Sequence, residues 1–194
     1  MSHTQPITYV RIAEVLTGLK MITEEKARSA LEEAATYATE PIAPGHEVAA
    51  ALESFGVAVP IHADDVDFAD DHYEWLLGEA ADVTGGNVTV TNYRFERRDE
   101  DDEDSGPGVM HFESNGTPLS FQVEQESNDY LDMGAAQAAI EALSPHDDPR
   151  DFRRVDHGST DPLGTHDDIM VLATAEQREG LQHHLGIKFA LPLH

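Results

Sequence analysis

Apolar positions recur along this chain with two different periods, and the change of period divides it. Tyr9, Ile12, Val15, Leu16 and Leu19 fall at three- and four-residue steps, which predicts a first helix with one apolar face. Thr23 is placed to cap a second helix, from residue 24 to about residue 37, with Ala27, Ala30, Leu31, Ala34 and Ala35 on one side. Its first turn holds Glu24 and Glu25, where the positive end of the helix dipole favours acids. Pro41-Ile42-Ala43-Pro44-Gly45 breaks the pattern. A third helix is expected from His46 to about Phe55, then an extended stretch over residues 57–60. Beyond an acidic segment, Tyr73, Trp75, Leu76, Leu77, Ala80 and Val83 fit an amphipathic helix that Gly85-Gly86 stops.

From Asn87 the period falls to two. Val88, Val90, Asn92 and Arg94 would share one face of a strand and Thr89, Thr91, Tyr93 and Phe95 the other, an alternation that is not clean. The strongest local signal is Asn115-Gly116 between two alternating runs, 109–114 and 117–124. It predicts a two-residue hairpin, because both positions need positive φ. Pro118 then belongs at the start or edge of its strand, where its missing N–H costs nothing. Asp132 can cap a helix carrying Met133, Ala136, Ile140 and Leu143, and Phe152 and Val155 mark a short strand. A Gly/Pro loop, 156–165, leads to Ile169-Met170-Val171-Leu172-Ala173, an apolar run suited to a buried central strand. Thr174-Ala175-Glu176-Gln177 is a capping box, and Gly186 closes the helix it opens. The prediction is an α+β fold: N-terminal helices, then strands and helices in the order ββ(β)αββα, forming a mostly antiparallel sheet with helices on one face. Residues 87–97, 108–125, 150–155 and 167–173 build that sheet. Residues 1–60 form a helical region and 61–194 the α+β domain, either separate or continuous.

Charge changes the picture more than length does. The 194 residues carry 12 Lys+Arg against 38 Asp+Glu, a formal charge of −26. Residues 60–104 hold 15 acids and 3 bases, net −12, so almost half of the excess lies in 45 positions. The tightest basic groups are Arg97-Arg98 and Arg150-Arg153-Arg154, too small to offset repulsion from a nucleic acid or an anionic membrane. A cationic partner is favoured instead. Acid-rich, lysine-poor composition is also a habit of salt-adapted proteins, and the clustering argues for a localised acidic surface over that reading. No cysteine is present, which leaves disulfides, thiolate metal sites and cysteine catalysis without residues. No apolar run reaches the roughly 18 residues of a membrane span, and residues 1–15 lack the pattern of a secretory signal, so a soluble, cytoplasmic protein is expected.

In order, the Trp75-Leu76-Leu77 helix ending in Gly85-Gly86, the Met110-His111-Phe112 hairpin returning through Leu119 to Val123, Asn128-Asp129-Tyr130-Leu131-Asp132 before a helix, Phe152, and residues 168–177 run through the second half of the chain. This order resembles a family of small bacterial immunity proteins encoded beside polymorphic toxins. The resemblance covers about 120 residues and rests on structural motifs. It implies a non-enzymatic binding protein that neutralises a toxin domain, and it transfers no functional residue, because such proteins read their toxins through variable surfaces.

The partner-contacting residues expected from charge are Asp64, Asp65, Asp67, Asp70 and Asp71 beside the Trp75 helix, with Asp101, Asp102 and Asp104 in an acidic loop. The first group has fixed positions at lower ordering cost. Two readings from other classes stay open. His62, Asp64, Asp65 and His72 could serve a metal-dependent hydrolase, since hydrolytic sites combine imidazoles and carboxylates. An acidic nucleic-acid mimic or adaptor for a host basic protein is the other. Residues 99–110 fail as a calcium loop, because Asp104 and Met110 stand where glycine and glutamate are needed. With no phosphate loop, dinucleotide fingerprint or serine-esterase elbow, no cofactor is expected. Trp75 and Phe121 are assigned to the core, and the His183-His184 pair to the negative end of the last helix.

Overall fold

A computed structural model of the chain describes residues 6–63, 69–98, 107–124, 130–158 and 167–192. The helices are α1 (Tyr9–Gly18), α2 (Glu24–Glu33), α3 (His46–Ala50), α4 (Ala69–Val83), α5 (Met133–Glu141) and α6 (Ala175–Leu185). The strands are β1 (Ala58–His62), β2 (Val90–Arg97), β3 (Gly108–Ser114), β4 (Thr117–Val123), β5 (Asp151–Arg154) and β6 (Asp167–Ala173). The expected caps are in place. Thr23, Asp132 and Thr174 each accept a backbone N–H three residues on, and Gln177 completes the capping box. Gly186 ends α6 in the left-handed region.

The α+β class holds, but the strands divide into two three-stranded antiparallel sheets, β1-β6-β5 and β2-β3-β4, where one sheet was expected. The physical reason lies in β6. Ile169, Val171 and Ala173 join a core with α1, α2 and α6, through Ile12, Leu16, Leu181 and Leu185. Met170 and Leu172 join a second core on the opposite face, with Leu76, Leu77, Ala136 and Ile140. A strand apolar on both faces needs cover on both, which helices on a single face cannot supply. α4 and α5 fill the space between the sheets, touching β1 and β5 on one side and β2 and β4 on the other. The extended stretch at residues 57–60 becomes the start of β1, paired with β6 from Ala58↔Val171 to His62↔Asp167.

The second sheet is covered on one face only. Met110, Phe112 and Val123 point into the core, whereas His111 and Ser120 face outward and hydrogen-bond at 2.7 Å. Its hairpin is as predicted, with φ of 50° at Asn115 and 78° at Gly116. Pro118 sits second in β4, an edge strand. The uneven alternation of β2 has a local cause. Asn92 adopts φ 55° and the register shifts between Thr91 and Arg94, so Val90, Tyr93 and Phe95 all pack on the same core. The third helix is shorter than predicted and gives way to a single 3-10 turn, Glu53–Phe55, that Gly56 ends at φ 62°. No helix among the described residues is long and apolar enough to cross a membrane.

Candidate functional site

α4 carries the transition from core to acidic surface. Tyr73, Leu76, Leu77 and Ala80 are buried, and Thr84 beyond them donates to the Ala81 carbonyl at 2.6 Å while accepting from Val88 N–H. Gly85 and Gly86, at φ 71° and 89°, then turn the chain out of the helix. At about 100° per residue, the direction opposite the buried stripe is occupied by Asp71, Trp75, Gly78, Glu79 and Asp82. Trp75 is 48% exposed, contrary to its expected place in the core. The helical wheel holds the signal for this: Trp75 lies about 150° round from the centre of the Tyr73–Leu76–Leu77–Ala80 face. Its aromatic size suggested burial; its phase dictates exposure. Phe121, by contrast, is half-buried and stacks on Phe112 with ring centroids 5.8 Å apart.

The first turn of α4 is pinned to the neighbouring sheet. Arg97 of β2 donates to Asp70 Oδ2 at 2.8 Å, and the Tyr93 hydroxyl donates to the Asp70 carbonyl at 2.6 Å. Burial raises the Tyr93 hydroxyl's pKa, with the Asp70 charge adding to it, so this phenol stays a donor. Asp70 is thus partly buried and committed to Arg97, whereas Asp71 stands exposed one residue on. Asp64, Asp65, Asp67, Asp101, Asp102 and Asp104 lie outside the described residues.

Along α4 the side chains charged at neutral pH are all acidic. No lysine or arginine occurs between Arg28 and Arg94, and Asp71, Glu74, Glu79 and Asp82 form no ion pair among the described residues. Elsewhere the arginines of the small basic groups, with Arg178, are consumed internally. Arg153 pairs with Glu141 and Asp151, Arg178 with Asp151, Arg150 with Asp148, Arg154 with Asp168, and Arg98 with Glu124. The small basic groups noted in the sequence therefore present no free cationic patch. Asp148, accepting from Arg150 and Asn87, is held below the usual carboxylate range chiefly by its Arg150 hydrogen bond.

His72 packs its ring on Trp75 at 5.1 Å, and its Nε2 is buried without a partner among the described residues. Burial holds its pKa below 6.5, and repulsion from His62 adds to this. His62 is itself bonded to Asp167 at 2.8 Å across the β1–β6 register. Because the folded state resists protonating His72, the unfolded chain binds more protons as pH falls through 6.5. Stability from this residue is full above that pH and lost below it. Thermal melts from about pH 7 to about pH 5 should show a falling midpoint, with a shallower slope in His72→Phe; equal slopes would assign the pH dependence to other groups.

Among the described residues no group of three or more His, Asp or Glu converges as a metal set. His62 and His72 are neighbours, and the two aspartates that would join them lie outside the described residues. One further polar cluster is structural. Asp168 is buried, accepts from Gln137 at 2.5 Å and from Ile169 N–H at 2.8 Å, and lies 3.5 Å from Arg154 and 3.7 Å from His157. Burial pushes its carboxyl up, while the donors and cations around it oppose that shift. It clamps α5 and the end of β5 to β6, in the manner of a satisfied buried acid. Compared with protein-family models, curated proteins and solved structures, the chain has no match.

Proposed function

We propose that this chain is a binding protein that neutralises a basic partner, and specifically a cytoplasmic immunity protein that occludes the active surface of a toxin domain. The observation that carries the reading is Trp75, exposed on α4 among Asp71, Glu74, Glu79 and Asp82, on a helix with no lysine or arginine. Large aromatics at a protein surface are the residues most often found to anchor interfaces. An indole face attracts lysine and arginine, and the surrounding acids bring them to it. The uncompensated field of α4 steers encounter and sets association rate, while Trp75, once desolvated, sets dissociation. A toxin that acts on nucleic acid or another anion needs a basic cleft, and an acidic helix seated there excludes the substrate by occupancy and by charge. The resemblance of the second half of the chain to immunity proteins supports the same reading.

The test is co-expression with the protein encoded immediately upstream, scored by growth and by co-purification. Rescue of growth together with a stable complex is expected. A complex with a host basic protein in place of that product would make the chain an adaptor; no complex and no rescue would end the proposal. With the partner in hand, Glu74→Lys/Glu79→Lys should slow association at least tenfold at low salt and flatten its salt dependence from about 50 to about 500 mM. Association that ignores salt in both proteins would leave salt adaptation as the account of the acidity.

A further inference from the structure

Among the described residues, a cavity at the end of the β1-β6-β5 sheet remote from Asp168 gathers three cations. It has a volume of about 300 Å³, and the loop after α1, the start of α2, the turn before β1, the end of α4 and the first turn of α6 converge on it. Its charged lining is Lys20, Lys26 and Arg150, with no acid among the lining residues, in a chain of 38 acids and 12 bases. Two of the three lysines in the protein are there. Ile22, Val57 and Leu172, all buried, give it an apolar floor.

Lys20 is held where it is at some local expense. Lys20 adopts φ 56°, the position after a helix that glycine normally fills. The hydrogen bonds around it, Lys20 N–H to Thr17 and Met21 N–H to Leu16, are those of a Schellman motif. A lysine there is strained where glycine would not be, and strain of this kind persists where a side chain is needed. Lys26 donates to the Gly56 carbonyl at 3.4 Å and lies over Gly56 so closely that a Cβ at that position would meet Nζ at 2.6 Å. The ammonium keeps two further N–H donors. Neither lysine is in an ion pair among the described residues, whereas Arg150 is engaged by Asp148 through Nε and Nη2.

We propose that this cavity binds a small organic carboxylate, its two oxygens held by Lys20 and Lys26 and its short apolar body on Ile22, Val57 and Leu172. Phosphate is the poorer fit. The guanidinium fork that would grip it is committed to Asp148, and the apolar floor offers it nothing. The site lies apart from the Trp75 face and does not depend on the function proposed for it.

The experiment titrates the full chain with sodium hexanoate, 1-hexanol and inorganic phosphate, reading backbone amide shifts and heats of binding. Hexanoate should saturate and move the amides of Ile22, Lys26, Gly56 and Gly85, with the alcohol and phosphate each about tenfold weaker or worse. Lys26→Gln should cost about tenfold in hexanoate affinity. Lys20→Gly should cost the same while raising the melting midpoint by about 2–4 °C, since glycine relieves the left-handed strain. That pairing separates lost binding from lost folding, and Lys26→Gln decides alone if the glycine variant does not fold. Hexanoate that moves none of these amides, binds both variants as well as the parent, or binds no better than hexanol or phosphate overturns the proposal.

Discussion

Trp75→Ala is expected to weaken capture of the basic partner by about 30- to 100-fold, the effect of losing an interface anchor worth more than 2 kcal/mol. The melting midpoint should move by less than about 2 °C, because the side chain is half exposed and alanine is the better helix former. Surface plasmon resonance of the complex, with a melt of each free protein, checks both halves. The loss should appear in dissociation rate, in contrast to the slower association expected of Glu74→Lys/Glu79→Lys. Trp75→Phe should recover part of the affinity, since it keeps an aromatic face of smaller area. Unchanged dissociation in Trp75→Ala would remove α4 as the contact surface.

Tyr73→Ala should be the most damaging change near the site, costing about 3–5 kcal/mol in unfolding free energy by denaturant titration. Tyr73 is 1% exposed, lies parallel to Phe95 at 6.1 Å, and its hydroxyl accepts the Asp132 N–H at 2.7 Å. That residue is the cap of α5, so one ring ties α4, β2 and the start of α5 together. Burial raises the pKa of its hydroxyl, which keeps it neutral and able to accept without an ionic cost. Tyr73→Phe removes only the acceptor and should cost about 1 kcal/mol. Equal losses from the two variants would mean that the hydroxyl, and not the ring, carries the effect. Because total stability of a domain is typically about 5–15 kcal/mol, the alanine variant sits near the threshold of folding.

The elements of this fold were legible because their signals are local. Thr174 with Gln177, Asp132 before Met133, and Asn115-Gly116 each satisfy a backbone requirement within four residues, and the elements they bound lie within a few residues of where they were expected. The bulge at Asn92 was visible only as a fault in alternation. What it does, turning Val90 to the side of Tyr93 and Phe95, needs the partner strand to be read. The exposure of Trp75 was within reach of the sequence. Its phase on α4 opposes the buried stripe, and only its size argued for the core.

By itself the sequence determined the class of the fold, the caps and turns that bound its elements, the excess of negative charge and its concentration in residues 60–104. Those follow from backbone conformation and composition, which act over a few residues or over the whole chain. Tertiary structure decided that the strands form two sheets, since the apolar run of β6 says that both faces are covered and not by what. It also decided which charges remain available. Arg97, Arg150, Arg153 and Arg178 were free bases on paper and are bound to Asp70, Asp148, Glu141 and Asp151 in the fold, whereas Lys20 and Lys26 line one cavity. An ion pair forms over a few ångströms in space, and separations of 27 residues, as between Asp70 and Arg97, are set only by how the elements pack.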